Sequence, residues 1–384
     1  MPRKSLADRI REAGSSTQRR LDESLEVMNH ISEYPVESET HPDPHSRKPY
    51  RATPWEHAKK TRGDGVAADG TAAGESAMDL ESGPSSKGGD LYRNLFSYYS
   101  NVLNLARQED PFSIDEGKRL VEQVVDAMAE QESLYVKALY YGDPMEFVAF
   151  HSINVTIYLV KLSSGLGLSR DHQVEIGLAG LFHDIGKCRI PGEILYKQDN
   201  LTDKELALLR KSPIFGHEIL KPFEGEHPHL AECALQAYER VDGSGYPYGL
   251  SGDEINEYAQ IIGLVDVYEA LTHSRPQRDK YPHFSAVKEI IRTWKKSFKR
   301  AYLKALLINF SVFPLNSYVQ LNSEAIGRVV ETYPDQPLRP RVQILFDSQK
   351  KRVRTERIVD LPQMPLLYIV DSVSEKDLER MMSS

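Results

Sequence analysis

The chain has 384 residues, 40% hydrophobic and 27% charged, with a formal net charge of −8. That length can bury a core for one large domain or two modest ones, and an acid excess with no basic stripe argues against binding a nucleic-acid backbone. Cys188 and Cys233 are the only cysteines, too few for a disulfide framework and consistent with a cytoplasmic protein.

Residues 1–88 are poor in large apolar side chains. A stretch such as "DGVAADGTAAGESAMDLESGPSSKGGD" cannot offset its chain entropy by burial, so a disordered arm is expected. Within it Leu21, Leu25 and Met28 recur at helical spacing, enough for a short helix, transient or partner-binding. The basic N-terminal residues have no apolar run behind them, and no apolar run of about 18 residues is seen, so neither signal peptide nor membrane span is expected.

From about Asp90 the texture becomes helical. "LYRNLFSYYSNVLNLARQ" is aromatic-rich and amphipathic, a reasonable surface for a homodimer. "SIDEGKRLVEQVVDAMAE" opens with Ser113 and Glu116, the spacing of a capping box, and "LTDKELALLRKS" repeats it with Thr202 and Glu205. "DPMEFVAFHSINVTIYLVKLSSGLG" is apolar nearly all round and predicts a buried central helix. "RDHQVEIGLAGLFHDIGK" predicts another. "SPIFGHEILKPF" places Ser212 as N-cap before a proline. "DEINEYAQIIGLVDVYEALTHS" and "FSAVKEIIRTWKKSFKRAYLKALLINF" add a buried helix and one or two more. After about Pro314 the period changes to short β-branched runs split by turn residues: "SYVQLN", "AIGRVVETY", "RVQILFDS", "ERIVDLP" and "LLYIVDSV". The expected organisation is mainly α. A helical segment over 89–141 packs on a helical domain over 142–312, followed by a small β appendage over 313–378.

The chemistry concentrates in "LFHDIGK". His183 and Asp184 stand together at the end of an apolar helix, where an imidazole and a carboxylate can approach one divalent ion. His151 and Asp266 are polar residues inside otherwise apolar helices, and burying them without partners would be costly. Lys187 follows the pair by about one turn. Two readings of the quartet stay open, a bound metal or a metal-free hydrogen-bonded network. Further on, "DGSGYP" is too rich in glycine for a helix and follows the helical "ALQAYER".

In this order, "LFHDIGKCRIPGEILYKQDNLTDKEL", "ERVDGSGYPYGL" and "IIGLVDVYEALTHSRPQR" resemble the HD-GYP branch of the HD superfamily of metal-dependent phosphohydrolases, the bacterial cyclic di-GMP phosphodiesterases. The resemblance runs from about residue 90 to 378 and implies an HD-type helical bundle. It implies that His151, His183, Asp184 and Asp266 hold one divalent metal such as Fe or Mn, which lowers the pKa of a bound water. Asp184 and Lys187 would be catalytic, with Lys187 neutralising the attacked phosphate. Arg275 and Arg278 would hold phosphate oxygens. Gly243, Gly245, Tyr246 and Pro247 would form the turn beside the nucleotide, with Tyr246 against a base. The departures fall on further metal ligands: Ser212, Ala237 and Tyr238 stand where the family has histidines, and Phe147 where some members have glutamate. A multinuclear site is therefore not expected. The implied function is a metal-dependent phosphodiesterase for cyclic di-GMP or a related nucleotide phosphoester. The alternative is a catalytically inactive module that senses a nucleotide or docks on a partner such as a diguanylate cyclase.

Overall fold

The computed structural model describes residues 87–130, 133–140, 146–273, 281–310, 312–333, 336, 338–355, 357–374, 377–378 and 380–381. The expected disordered arm, apart from its last two residues, and the short helix around Leu25 lie outside the described residues, as do Arg275 and Arg278.

Twelve α-helices are described: α1 (Lys87–Gln108), α2 (Asp115–Glu130), α3 (Ser133–Tyr140), α4 (Phe147–Gly165), α5 (Arg170–Phe182), α6 (Gly192–Leu195), α7 (Asp203–Leu209), α8 (Ser212–Leu220), α9 (Leu230–Gln236), α10 (Glu257–Thr272), α11 (His283–Trp294) and α12 (Arg300–Asn309). The centre is α4, buried along nearly its whole circumference because it has no polar face to show to water. It packs against α5, α10, α1, α2, α3 and α12. At 19 residues and mean hydropathy 1.2, α4 does match the length and apolarity of a membrane span, contrary to the sequence expectation, but 89% of that window is buried inside the protein. α10 is the second all-round buried helix.

On α1, Leu91, Tyr92, Leu95, Tyr99 and Val102 are buried in the same core. The aromatic stripe thus packs on the chain's own helices instead of offering a dimer surface. The Thr202–Glu205 capping box is present in full. At the start of α2, Ser113 Oγ accepts from the Asp115 amide at 3.2 Å, so the serine precedes the helix by two residues. α8 is capped at Lys211, not Ser212, with Pro213 in its first turn. Proline is tolerated there because the first-turn amides have no partner within the helix.

All five β-branched runs become strands: β1 (Tyr318–Leu321), β2 (Ile326–Glu331), β3 (Arg341–Phe346), β4 (Ile358–Asp360) and β5 (Ile369–Val373). They form one antiparallel sheet in the order β4-β3-β2-β1-β5. Alternating burial along β3 puts Val342, Ile344 and Phe346 on the covered face. The sheet meets the helices through β5 and α11, where Ser372 and Ser285 hydroxyls pair at 3.0 Å.

Candidate active site

α5 ends at Phe182, and the backbone breaks at Asp184 (φ −105°, ψ 9°) into a 3-10 turn over Ile185–Arg189. That break turns His183 and Asp184 inward together. α8 begins directly against the turn: a Cβ on Gly186 would fall 2.0 Å from the Ser212 carbonyl oxygen, so only glycine fits. α4 contributes His151 and α10 contributes Asp266. All four side chains converge, and none is more than 2% exposed.

His151 Nε2 lies 2.9 Å from Asp266 Oδ1 and 3.5 Å from Asp184 Oδ2. His183 Nε2 lies 3.7 Å from each of the same two oxygens. Each histidine commits its other nitrogen outward. His183 Nδ1 donates to the Gly180 carbonyl at 2.7 Å, and His151 Nδ1 donates to Glu269 Oε2. Such outer partners fix the tautomer and leave Nε2 unprotonated, its lone pair toward the centre. His183 Nε2 is fully buried with no hydrogen-bond partner among the described residues. A bare, buried imidazole nitrogen facing two carboxylates is the donor set of a divalent cation. His151, His183 and Asp184 bring their ligand atoms within 4.8 Å of one another. The residues therefore fit a metal.

Asp184 has a second set of partners. Its Oδ1 accepts from the Tyr238 hydroxyl at 2.6 Å, and its Oδ2 from Lys187 Nζ. Burial alone would push this carboxyl up, but Lys187, His183 and His151 outweigh it and hold the group well below the usual carboxylate range, with Asp266 opposing. Burial, followed by the charges of Asp184 and Asp266, raises the Tyr238 phenol well above 10, so it keeps its proton and acts as a donor. The Tyr238 ring is stacked on Tyr246 at 5.0 Å, and Arg210 lies 5.5 Å from the Tyr246 centroid. The position where the family resemblance implies a histidine ligand is thus filled by a phenol that serves the aspartate.

The glycine turn is pinned by Glu239. Its two oxygens accept from the amides of Tyr248 at 2.7 Å and Leu250 at 3.0 Å. Gly243 has φ +77°, and a Cβ on Gly245 would lie 2.4 Å from the Glu239 and Arg240 backbone. The Tyr246–Pro247 peptide is cis. Tyr246 joins the turn to the centre through its stacking on Tyr238.

Behind His151, Glu269 also accepts from Asn154 Nδ2 at 3.1 Å and faces His273 Nδ1 at 3.3 Å. Asn154 Oδ1 accepts from the Tyr92 hydroxyl at 2.7 Å. Neither Glu269 nor Asn154 was singled out from the sequence. Yet each is a polar residue three positions after His151 or Asp266, in the same apolar helix, which is the signal that identified those two.

Comparison with known proteins agrees with this geometry. Residues 117–300 match the family described as HD domain, and residues 318–381 match a KOW domain associated with HD domain. The chain is 32% identical over 216 residues to the cyclic di-GMP phosphodiesterase PA4108 of Pseudomonas aeruginosa, covering 56% of this chain and 52% of that protein. It is 30% identical to the cyclic di-GMP phosphodiesterase response regulator RpfG of Xanthomonas campestris, covering 56% and 58%. It is 38% identical over 133 residues to the 3'3'-cGAMP-specific phosphodiesterase 1 of Vibrio cholerae, covering 35% and 31%. The chain spans about half the length of the first two of these relatives or a little more, and less of the third. The helical part thus matches the HD domain over residues 117–300, and it is similar to relatives that are cyclic dinucleotide phosphodiesterases.

Proposed function

We propose that the chain is a metal-dependent phosphodiesterase with a single-ion centre, acting on cyclic di-GMP or a related cyclic dinucleotide. The observation that carries this reading is the convergence of His151, His183, Asp184 and Asp266 around a bare, buried imidazole nitrogen. A divalent ion held there supplies a lowered water pKa and hence a nucleophile near neutral pH. Lys187, already beside Asp184, is the group to offset charge developing on the phosphate. Arg275 and Arg278 hold phosphate oxygens, and the turn over Gly243, Gly245, Tyr246 and Pro247 forms the rim of the nucleotide site. A single ion is supported by Ser212, Ala237 and Tyr238, which stand where the resemblance implies further histidine ligands, and by the Tyr238 phenol, which instead donates to Asp184 Oδ1. Residues 142–312 are the catalytic unit in this reading, and 313–378 an appended packing or docking module.

The same engagement of Asp184 favours a second reading, a nucleotide-sensing or protein-docking module with no turnover. Two measurements separate them. Protein purified without chelator is analysed for metal and then incubated with cyclic di-GMP, with the products separated. The phosphodiesterase reading expects close to one ion per chain, product formation, and loss of both in His183→Ala. Metal-free wild type with no product overturns it. Saturable nucleotide binding without product, weakened in Arg275→Ala, establishes the sensor instead.

A further inference from the structure

The hydrogen-bond chain behind His151 has a fixed polarity. A carboxylate accepts and never donates, so Glu269 forces both neighbours to present N–H groups. His151 must therefore carry its proton on Nδ1, and Asn154 must turn its amide nitrogen to Glu269. This leaves the Asn154 carbonyl facing away, and there the Tyr92 hydroxyl donates to it at 2.7 Å. Tyr92 is 1% exposed and Asn154 is fully buried, so water does not compete for either group.

We infer that Tyr92 is a positioning residue for the metal centre. Through Asn154 and Glu269 its hydroxyl holds His151 in the tautomer and orientation that aim Nε2 at the ion. Tyr92 lies on α1, outside residues 117–300 that match the HD domain. The helix ahead of the family-matched region is thus an integral part of the site. The inference rests on the proposed metal centre. Outer partners of metal-bound histidines typically change affinity by about 10–100-fold when lost, and a partner three hydrogen bonds away belongs at the lower end.

The test is metal affinity, measured by competition with a chromogenic chelator, in Tyr92→Phe against Tyr99→Phe. Both changes remove one buried hydroxyl from α1. Tyr99, however, meets Ser152 at 3.5 Å and not the chain behind His151. Tyr92→Phe is expected to weaken manganese binding about tenfold, with Tyr99→Phe within twofold of wild type. Asn154→Leu should weaken binding at least as much, and adding Tyr92→Phe to it should change nothing further, because the link is already broken. Equal losses in Tyr92→Phe and Tyr99→Phe, or additive losses in the double variant, overturn the inference. The metal-free protein gives an independent readout through the ring-nitrogen resonances of His151, assigned with His151→Gln. Nδ1 should be protonated in wild type and show exchange averaging in Tyr92→Phe; identical spectra count against the chain. Wild type that binds no manganese overturns the functional reading, while the resonances still decide whether Tyr92 positions His151.

Discussion

Asp184 is held from three sides, by the Tyr238 phenol, by Lys187 and by the two imidazoles. Deleting the phenolic oxygen in Tyr238→Phe strips Asp184 Oδ1 of a donor in a place water does not reach. A buried acceptor left without its partner costs about 1–3 kcal/mol, so urea unfolding should show a loss of that size. A midpoint equal to wild type would mean that the phenol contributes nothing. The parts of this cluster legible in the sequence were those whose side chains advertise themselves: an adjacent His-Asp pair, and single polar residues in apolar helices. Tyr238 was legible only as a missing histidine. Its positive role needed the spatial approach of α9's end to the 3-10 turn, 54 residues apart in the chain. Glu269 and Asn154 carried the same local signal as Asp266 and His151. What marks them as partners instead of ligands is which ring nitrogen they face, and no spacing encodes that.

Among the elements, α7 shows how a local sequence signal becomes a pH-dependent contribution. Glu205 closes the capping box on Thr202 and pairs with Lys197, both carboxylate oxygens lying 2.8 Å from Nζ. The Lys197 contact, followed by the Thr202 amide, lowers its pKa from 4.5 to about 2. The folded pKa lies below the unfolded one, so the contribution is complete above 4.5 and disappears as pH falls through about 2. Thermal unfolding of wild type and Glu205→Gln should therefore differ by a constant amount near neutral pH. The difference should shrink as pH drops from about 4.5 toward 2. A gap that stays constant over that range would show that the box works without the carboxylate charge. Helices and strands with a clear period were readable in this way, the five β runs included. Element ends were less so: the cap of α8 fell on Lys211 because its first turn is set by packing against Gly186, a contact between segments.

For the whole molecule, the centre acts as a clasp. Its four proposed ligands come from α4, from the end of α5 and from α10, and the hydrogen-bond chain from Glu269 through Asn154 extends it to α1. The centre gathers three buried carboxylates, Asp184, Asp266 and Glu269, around His151 and His183, with Lys187 as the ammonium beside Asp184. Such a site favours the folded state more when a cation is bound, because the unfolded chain does not assemble the four ligands. A ligand that binds only the native state at about 100 times its Kd stabilises by about 2.7 kcal/mol. Chelation should accordingly lower the Tm of wild type, and added manganese should restore it, while His183→Ala should respond to neither. Hydrogen exchange should place the effect: metal should slow amides of α4, α10 and α1, and leave β1–β5 near their metal-free rates, since the sheet touches the helices at α11, away from the ligands. Equal Tm with and without chelator would mean the four side chains satisfy one another without an ion. A response spread evenly into the sheet would instead mean that helices and sheet unfold as one cooperative unit.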